Sequence, residues 1–151
     1  MFIIAIIIVL GTMIVATGFG GLTAMLDIPS LVIPILMVAV ILGAAGLSKD
    51  FLRGLKSAVS KENIYTVKEL KRTRLSLKLA LWTLLLSGLG TTLIGWVALL
   101  SFISDPANLN SAFSVSMISF TYSIFMMILL LPVDFKIRCI ILELEEKHEE
   151  N

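Results

Sequence analysis

Residues 87–95 read SGLGTTLIG, inside an apolar stretch from Leu79 to Ile103 that carries no charged side chain. Leucine alone would satisfy a helix surrounded by hydrocarbon. Three glycines, a serine and two adjacent threonines at its centre therefore need a physical reason. Three further uncharged runs accompany this one: Phe2–Phe19, Leu31–Leu47 and Ala112–Val133. Each approaches or exceeds the ~20 residues that cross a bilayer core as a helix. The 151 residues are 58% hydrophobic and only 15% charged, with a mean hydropathy of +1.00. That is far too apolar for a soluble domain of this length.

The sequence thus predicts an all-α membrane protein with four transmembrane helices in one membrane domain, at 2–22, 30–47, 79–103 and 111–133. A cytoplasmic helical segment is expected at 48–78, and a C-terminal cytoplasmic helix at 134–150. Met1 is followed at once by apolar residues with no basic segment, so the first run reads as a retained span rather than a signal peptide.

Basic residues beside transmembrane ends are held in the cytoplasm. Between the second and third spans stand Lys49, Arg53, Lys56, Lys61, Lys68, Lys71, Arg72, Arg74 and Lys78, against Asp50, Glu62 and Glu69. Lys136, Arg138 and Lys147 follow the fourth span, while the connections around Asp27 and Asp105 carry no base. Both termini are predicted to be cytoplasmic. The basic segment is read as lying under an anionic lipid leaflet, with no nucleic acid needed to explain it.

Pro29 is expected in the opening turn of the second span, where a missing N–H costs nothing. Pro34 is expected to kink that helix or make its start irregular. Phe51, Leu52, Leu55 and Val59, then Val67, Leu70, Leu75 and Leu79, fit two amphipathic helices broken near Lys61–Asn63. The later one should run straight into the third span. Cys139 is the single cysteine and is read as a small buried or interfacial thiol. His148 has no second ligand at metal spacing. No nucleophile–base set, phosphate loop or pair of intramembrane carboxylates is visible, so the chain reads as neither an enzyme nor a cofactor protein.

Ser87, Thr91 and Gly95 recur every four residues, with Gly88 beside them, and Gly90 also lies in the motif. On the fourth span Ala112, Ser116, Ser119 and Ser123 make a second stripe. Such stripes let helices approach closely and exchange hydroxyl hydrogen bonds where lipid supplies no hydrophobic drive. Thr121 lies about 180° around the fourth helix from Ala112, so that span has hydroxyls on two sides. Packing accounts for one side, and a wetted pore would account for the other. No span contains an acid, base or histidine. A titrating group for a carried ion must therefore come from another chain.

The turn Gly21-Leu22-Thr23-Ala24-Met25-Leu26-Asp27-Ile28-Pro29-Ser30-Leu31 resembles the first hairpin of the flagellar stator subunit, motility protein A. Gly88-Leu89-Gly90-Thr91-Thr92-Leu93-Ile94-Gly95 resembles the glycine–threonine motif of the MotA/TolQ/ExbB proton-channel family. Asp105-Pro106-Ala107-Asn108-Leu109 and a hydroxyl-bearing span with Tyr122 and Leu131-Pro132 follow the same pattern. The resemblance implies a homopentamer in the bacterial inner membrane around a MotB-like single-span dimer, whose aspartate carries H+ or Na+ while the ring rotates. Thr91 or Thr92, with Ser119 or Thr121 and Tyr122, would line the ion pathway. Pro132 would end the fourth helix.

Three departures qualify the resemblance. Leu84 and Leu85 stand where family stator subunits place a proline, the GxxGxL pattern of the second span is replaced by a run with Pro34, and the rotor-contacting cytoplasmic domain has shrunk to about thirty residues. The alternative is a non-conducting membrane scaffold that keeps the fold. A small-molecule transporter is disfavoured, since no span offers a charged substrate site and no inverted repeat is visible.

Overall fold

The computed structural model describes residues 7–8, 11–12, 15, 28–59, 65–100 and 106–149. The described residues form four continuous helices and no strand: α1 (Ile28–Ala44), α2 (Ser48–Val59), α3 (Val67–Leu100) and α4 (Pro106–Glu149). The predicted first span, apart from five isolated helical positions, lies outside the described residues. So do the turn at Asp27, the break at Lys61–Asn63 and the connection at Asp105.

Pro29 stands in the first turn of α1. Pro34 leaves the start of that helix regular. It lies buried within a continuous α1, where it removes a single backbone bond, to the Ser30 carbonyl. The sharp change of direction comes later, at Gly46. There the Leu47 amide bonds the Leu42 carbonyl at 2.9 Å and the Gly46 amide bonds the Gly43 carbonyl at 3.0 Å, with Gly46 at φ 67°. This is a Schellman motif, and its usual hydrophobic clasp is present in Leu42 and Leu47, both buried in one cluster with Val38, Ala80 and Leu84. The motif turns the chain through 118° between α1 and α2.

Thr66 starts α3 with a capping box. The Thr66 amide donates to Glu69 Oε2 at 3.1 Å, the Thr66 hydroxyl donates to the same oxygen at 3.0 Å, and the Glu69 amide returns a longer bond of 3.4 Å to Thr66 Oγ1. From there α3 continues for 34 residues without interruption. It is the one described helix that is by itself long and apolar enough to cross a membrane; α1 and α2 reach that standard only as a bent pair.

The fourth helix does not end at Pro132, and residues 134–149 are not a separate helix. Pro132 lies inside a 44-residue α4. An interior proline costs a hydrogen bond and crowds the preceding turn. Here Val133 and Ile137 are fully buried against Leu70 and Leu77 of α3, so packing immediately beyond the proline holds the helix on course. Because Ile137, Ile140 and Ile141 occupy the positions facing α3, Cys139 points outward and is exposed rather than buried.

The two long helices run antiparallel in one register. Lys71 pairs with Glu145, Gly88 faces Ser123, Gly95 faces Ser116, and Trp96 stacks on Phe113 at 5.9 Å, with Leu70, Leu77, Val133, Ile137, Ile140 and Ile141 in one cluster. The seam extends ~39 Å at 1.5 Å per residue. Along it the character of the outer surface changes. The exposed large apolar side chains concentrate in 28–41, 82–100 and 113–131. Below them, α2, the start of α3 and the end of α4 carry ion pairs: Arg53 and Arg72 to Asp50 at 3.0 and 2.9 Å, and Lys71 to Glu145 at 2.7 Å. Lys136 Nζ donates to the Ser57 carbonyl in the last turn of α2 at 2.7 Å, a favourable place for a cation.

Gly46→Ala forces a Cβ into the left-handed region and should destabilise the protein by about 1–2 kcal/mol in a detergent unfolding titration. The Thr66 amide, then its hydroxyl, and more weakly the Arg53 charge hold the Glu69 carboxyl below its usual 4.5. Stability from this cap is complete above the unfolded-chain value and lost as pH falls through the lower folded value. Carboxyl-carbon NMR should place the Glu69 midpoint below 4.5, and Thr66→Ala should move it back up.

Candidate functional site

The glycine–threonine motif falls where α3 meets the hydroxyl stripe of α4, and the two motifs divide their residues between distinct faces. Gly88 and Gly95 are the points of closest approach. A methyl group at Gly88 would lie 2.7 Å from Ser123 Cβ, and one at Gly95 would lie 2.4 Å from Ser116 Cβ. Both distances are below any real carbon contact, so these two positions admit only hydrogen. Gly90 is different: nothing lies within 4 Å of the corresponding position.

Thr92 occupies the same seam. Its Oγ1 stands 2.8 Å from the Gly88 carbonyl and 3.2 Å from the Ser116 carbonyl across the interface. One proton serves the two acceptors, so the hydroxyl ties the helices together while satisfying its own turn. Ser116, Ser119 and Ser123 are all buried. The Ser116 hydroxyl donates to the Phe113 carbonyl at 2.8 Å, and that of Ser123 to the Ser119 carbonyl at 3.1 Å. Of the predicted pathway residues, then, Thr92 and Ser119 sit within the chain's own seam.

Thr91 and Thr121 lie outside it. Thr91 is half-buried beside a groove of about 300 Å³ that runs between α3 and α1, with Met37 and Ile41 on the far wall and Ser87, Gly90 and Ile94 on its own. Its hydroxyl is 2.9 Å from the Ser87 carbonyl and 3.0 Å from the Gly88 carbonyl. Thr121, also half-buried, donates to the Met117 carbonyl at 3.0 Å. Tyr122 is half-buried next to it. Pro29 and Pro132 are remote from this seam, in the first turn of α1 and near the buried Val133 layer.

These geometries share one chemical consequence. A hydroxyl has one donor and two acceptor sites. Where the proton is given to a backbone carbonyl in the preceding turn, the oxygen that remains is an acceptor. Thr91 and Thr121 can therefore receive a hydrogen bond from a protonated acid or coordinate a small cation, without a charge of their own. Among the described residues no group of three His, Cys, Asp or Glu side chains is arranged to hold a metal ion.

The sequence stripe Ser87–Thr91–Gly95 differs from the observed seam, which passes through Leu84, Gly88, Thr92, Gly95 and Leu99. A helix of 3.6 residues per turn drifts against a strict four-residue spacing, and the seam follows the drift. Two groups escaped the sequence reading altogether. Asp50 is buried and holds both Arg53 and Arg72; its spacing of three from Arg53 was the available signal. The Thr66–Glu69 cap was legible as a T-x-x-E pattern before an apolar run.

Gly95→Ala should cost about 1–3 kcal/mol by overpacking, read by unfolding in a denaturing detergent. Gly90→Ala should instead stabilise by about 0.5–1 kcal/mol through helix propensity.

No family model matches the chain, and no curated protein or solved structure matches it either.

Proposed function

We propose that this chain is a four-span, MotA-like subunit with both termini in the cytoplasm of a bacterium. It forms a homopentameric ring in the inner membrane around a MotB-like single-span dimer. The ring is driven by H+ or Na+, each elementary charge releasing ~2.3 kcal/mol per 100 mV. Its output differs from ordinary flagellar torque, because the segment between the second and third spans has only about thirty residues in place of a rotor-contacting domain.

Support for a membrane setting comes from the inverted character of the apolar zone. There the exposed side chains are mainly leucine, isoleucine and valine, while the interior of the α3–α4 seam holds Thr92, Ser116, Ser119 and Ser123. A protein folding in water does the reverse, and membrane helices pack through small and hydroxyl residues. The observation that carries the motor reading is the division of hydroxyls into two sets. Thr92 and the serines join the helices, while Thr91 and Thr121 remain outside the seam as acceptors. In this reading Thr91 and Thr121, with Tyr122 beside them, line the route and receive the partner's aspartate. Thr92, Gly88, Gly95, Ser116, Ser119 and Ser123 hold the wall rigid.

A second reading, a non-conducting scaffold, is favoured by the burial of Thr92 and Ser119 within one chain. Ion flux separates the two. Particle imaging of the detergent-extracted protein should show five copies; a monomer or dimer as the only species overturns the motor reading. In vesicles holding this protein and its one-span partner, Thr91→Val with Thr121→Val should abolish flux and leave the pentamer intact. Thr92→Val should keep flux and lower stability by about 0.6 kcal/mol, the usual worth of one interhelical hydrogen bond in a membrane. Absence of flux in the wild type favours the scaffold.

A further inference from the structure

We propose that the outer face of α2 binds the phosphodiester headgroup of an anionic phospholipid. The inference rests on the membrane reading above but not on ion transport. A groove of about 300 Å³ is lined by Lys49, Leu52, Arg53, Lys56 and Tyr65. Lys49, Arg53 and Lys56 follow one another at i, i+4 and i+7, so α2 directs three cations to one side. The adjoining side, about 90° around the helix and carrying Asp50 and Ser57, is buried.

The three cations have different duties. Arg53 is held in place: Nη1 lies 3.0 Å from Asp50, Nη2 lies 3.6 Å from Glu69, and its guanidinium stands 5.7 Å over the Tyr65 ring. Two carboxylates offset its charge, and its contribution is to shape the groove. Lys49 and Lys56 are exposed and form no ion pair among the described residues. Their charge is available to a ligand, and the complementary ligand is an anion small enough to sit between two ammonium groups. Leu52, 57% exposed between them, offers an apolar contact that an inorganic ion has no use for and a lipid does.

Placement decides the source of the anion. Exposed apolar side chains on α1 continue to Ile41. The chain then turns through 118° at Gly46 into α2. A helix that crosses α1 where its apolar surface ends lies at the depth of the headgroups when α1 is in the bilayer. Lysines at that depth are drawn to anionic lipid.

The test uses the purified full-length protein in detergent, titrated with phosphatidylglycerol or phosphatidylcholine and followed by native mass spectrometry. The wild type should bind phosphatidylglycerol in preference. Lys49→Gln with Lys56→Gln should weaken that binding by about fivefold per lysine, roughly 25-fold for the pair. Lys49→Arg with Lys56→Arg should retain it, and Lys68→Gln with Lys78→Gln should leave it within about twofold. Circular dichroism checks that each variant keeps its helices. Equal weakening by the Lys68 and Lys78 changes overturns the site in favour of diffuse surface charge. Displacement of the lipid by millimolar inorganic phosphate overturns the lipid as ligand. An alkaline carbonate wash of membranes tests the underlying reading separately. Protein that washes off removes that reading and the site together, whereas protein that stays while the Gln pair binds like wild type removes the site alone.

Discussion

The approach of α3 to α4 at Gly88 and Gly95 is the constraint from which the rest of the structure follows. With Ser123 and Ser116 already where any Cβ would stand, the two backbones meet at a distance that only hydrogen permits. At that separation Thr92 can reach a carbonyl on the other helix. Dispersion between closely packed backbones and this interhelical bond then hold the two helices together without a large aliphatic contact between them.

The same register continues into a seam of different composition. Below the hydroxyl layer the seam becomes an ordinary aliphatic core of Leu70, Leu77, Val133, Ile137, Ile140 and Ile141, flanked by ion pairs. One pair of helices thus joins an apolar outer surface to one that carries ion pairs. Their 34 and 44 residues rise ~51 and ~66 Å, long enough to carry both surfaces. Asp50 secures the join, its carboxylate accepting from Arg53 on α2 and Arg72 on α3.

Helices, their apolar segments, the opening of α1 and the unbroken run of α3 from its polar start into its apolar stretch are legible because each depends on local composition and periodicity. The helix end expected at Pro132 is overridden for a physical reason. A proline's local penalty is a few kilocalories, and neighbours distant in sequence can outweigh it. Val133 and Ile137 meeting Leu70 and Leu77 do so for Pro132. Of the two places the sequence allows Cys139, buried or interfacial, burial within the chain is excluded by the three isoleucines that take the side facing α3.

The sequence by itself determined that the chain is helical, that its apolar segments lack any charge, that its bases cluster between the second and third runs, and that hydroxyls recur on both later runs. These are properties of composition and spacing, which need no partner to exist. Only the tertiary structure decided which hydroxyls serve packing and which stay available. Thr91 and Thr92 are chemically identical neighbours, and about 100° of helical rotation separates them. That rotation sends one against Ser116 and the other toward a groove beside α1. The outcome depends on where the second helix lies, and a helix position is set by the sum of contacts along its whole length.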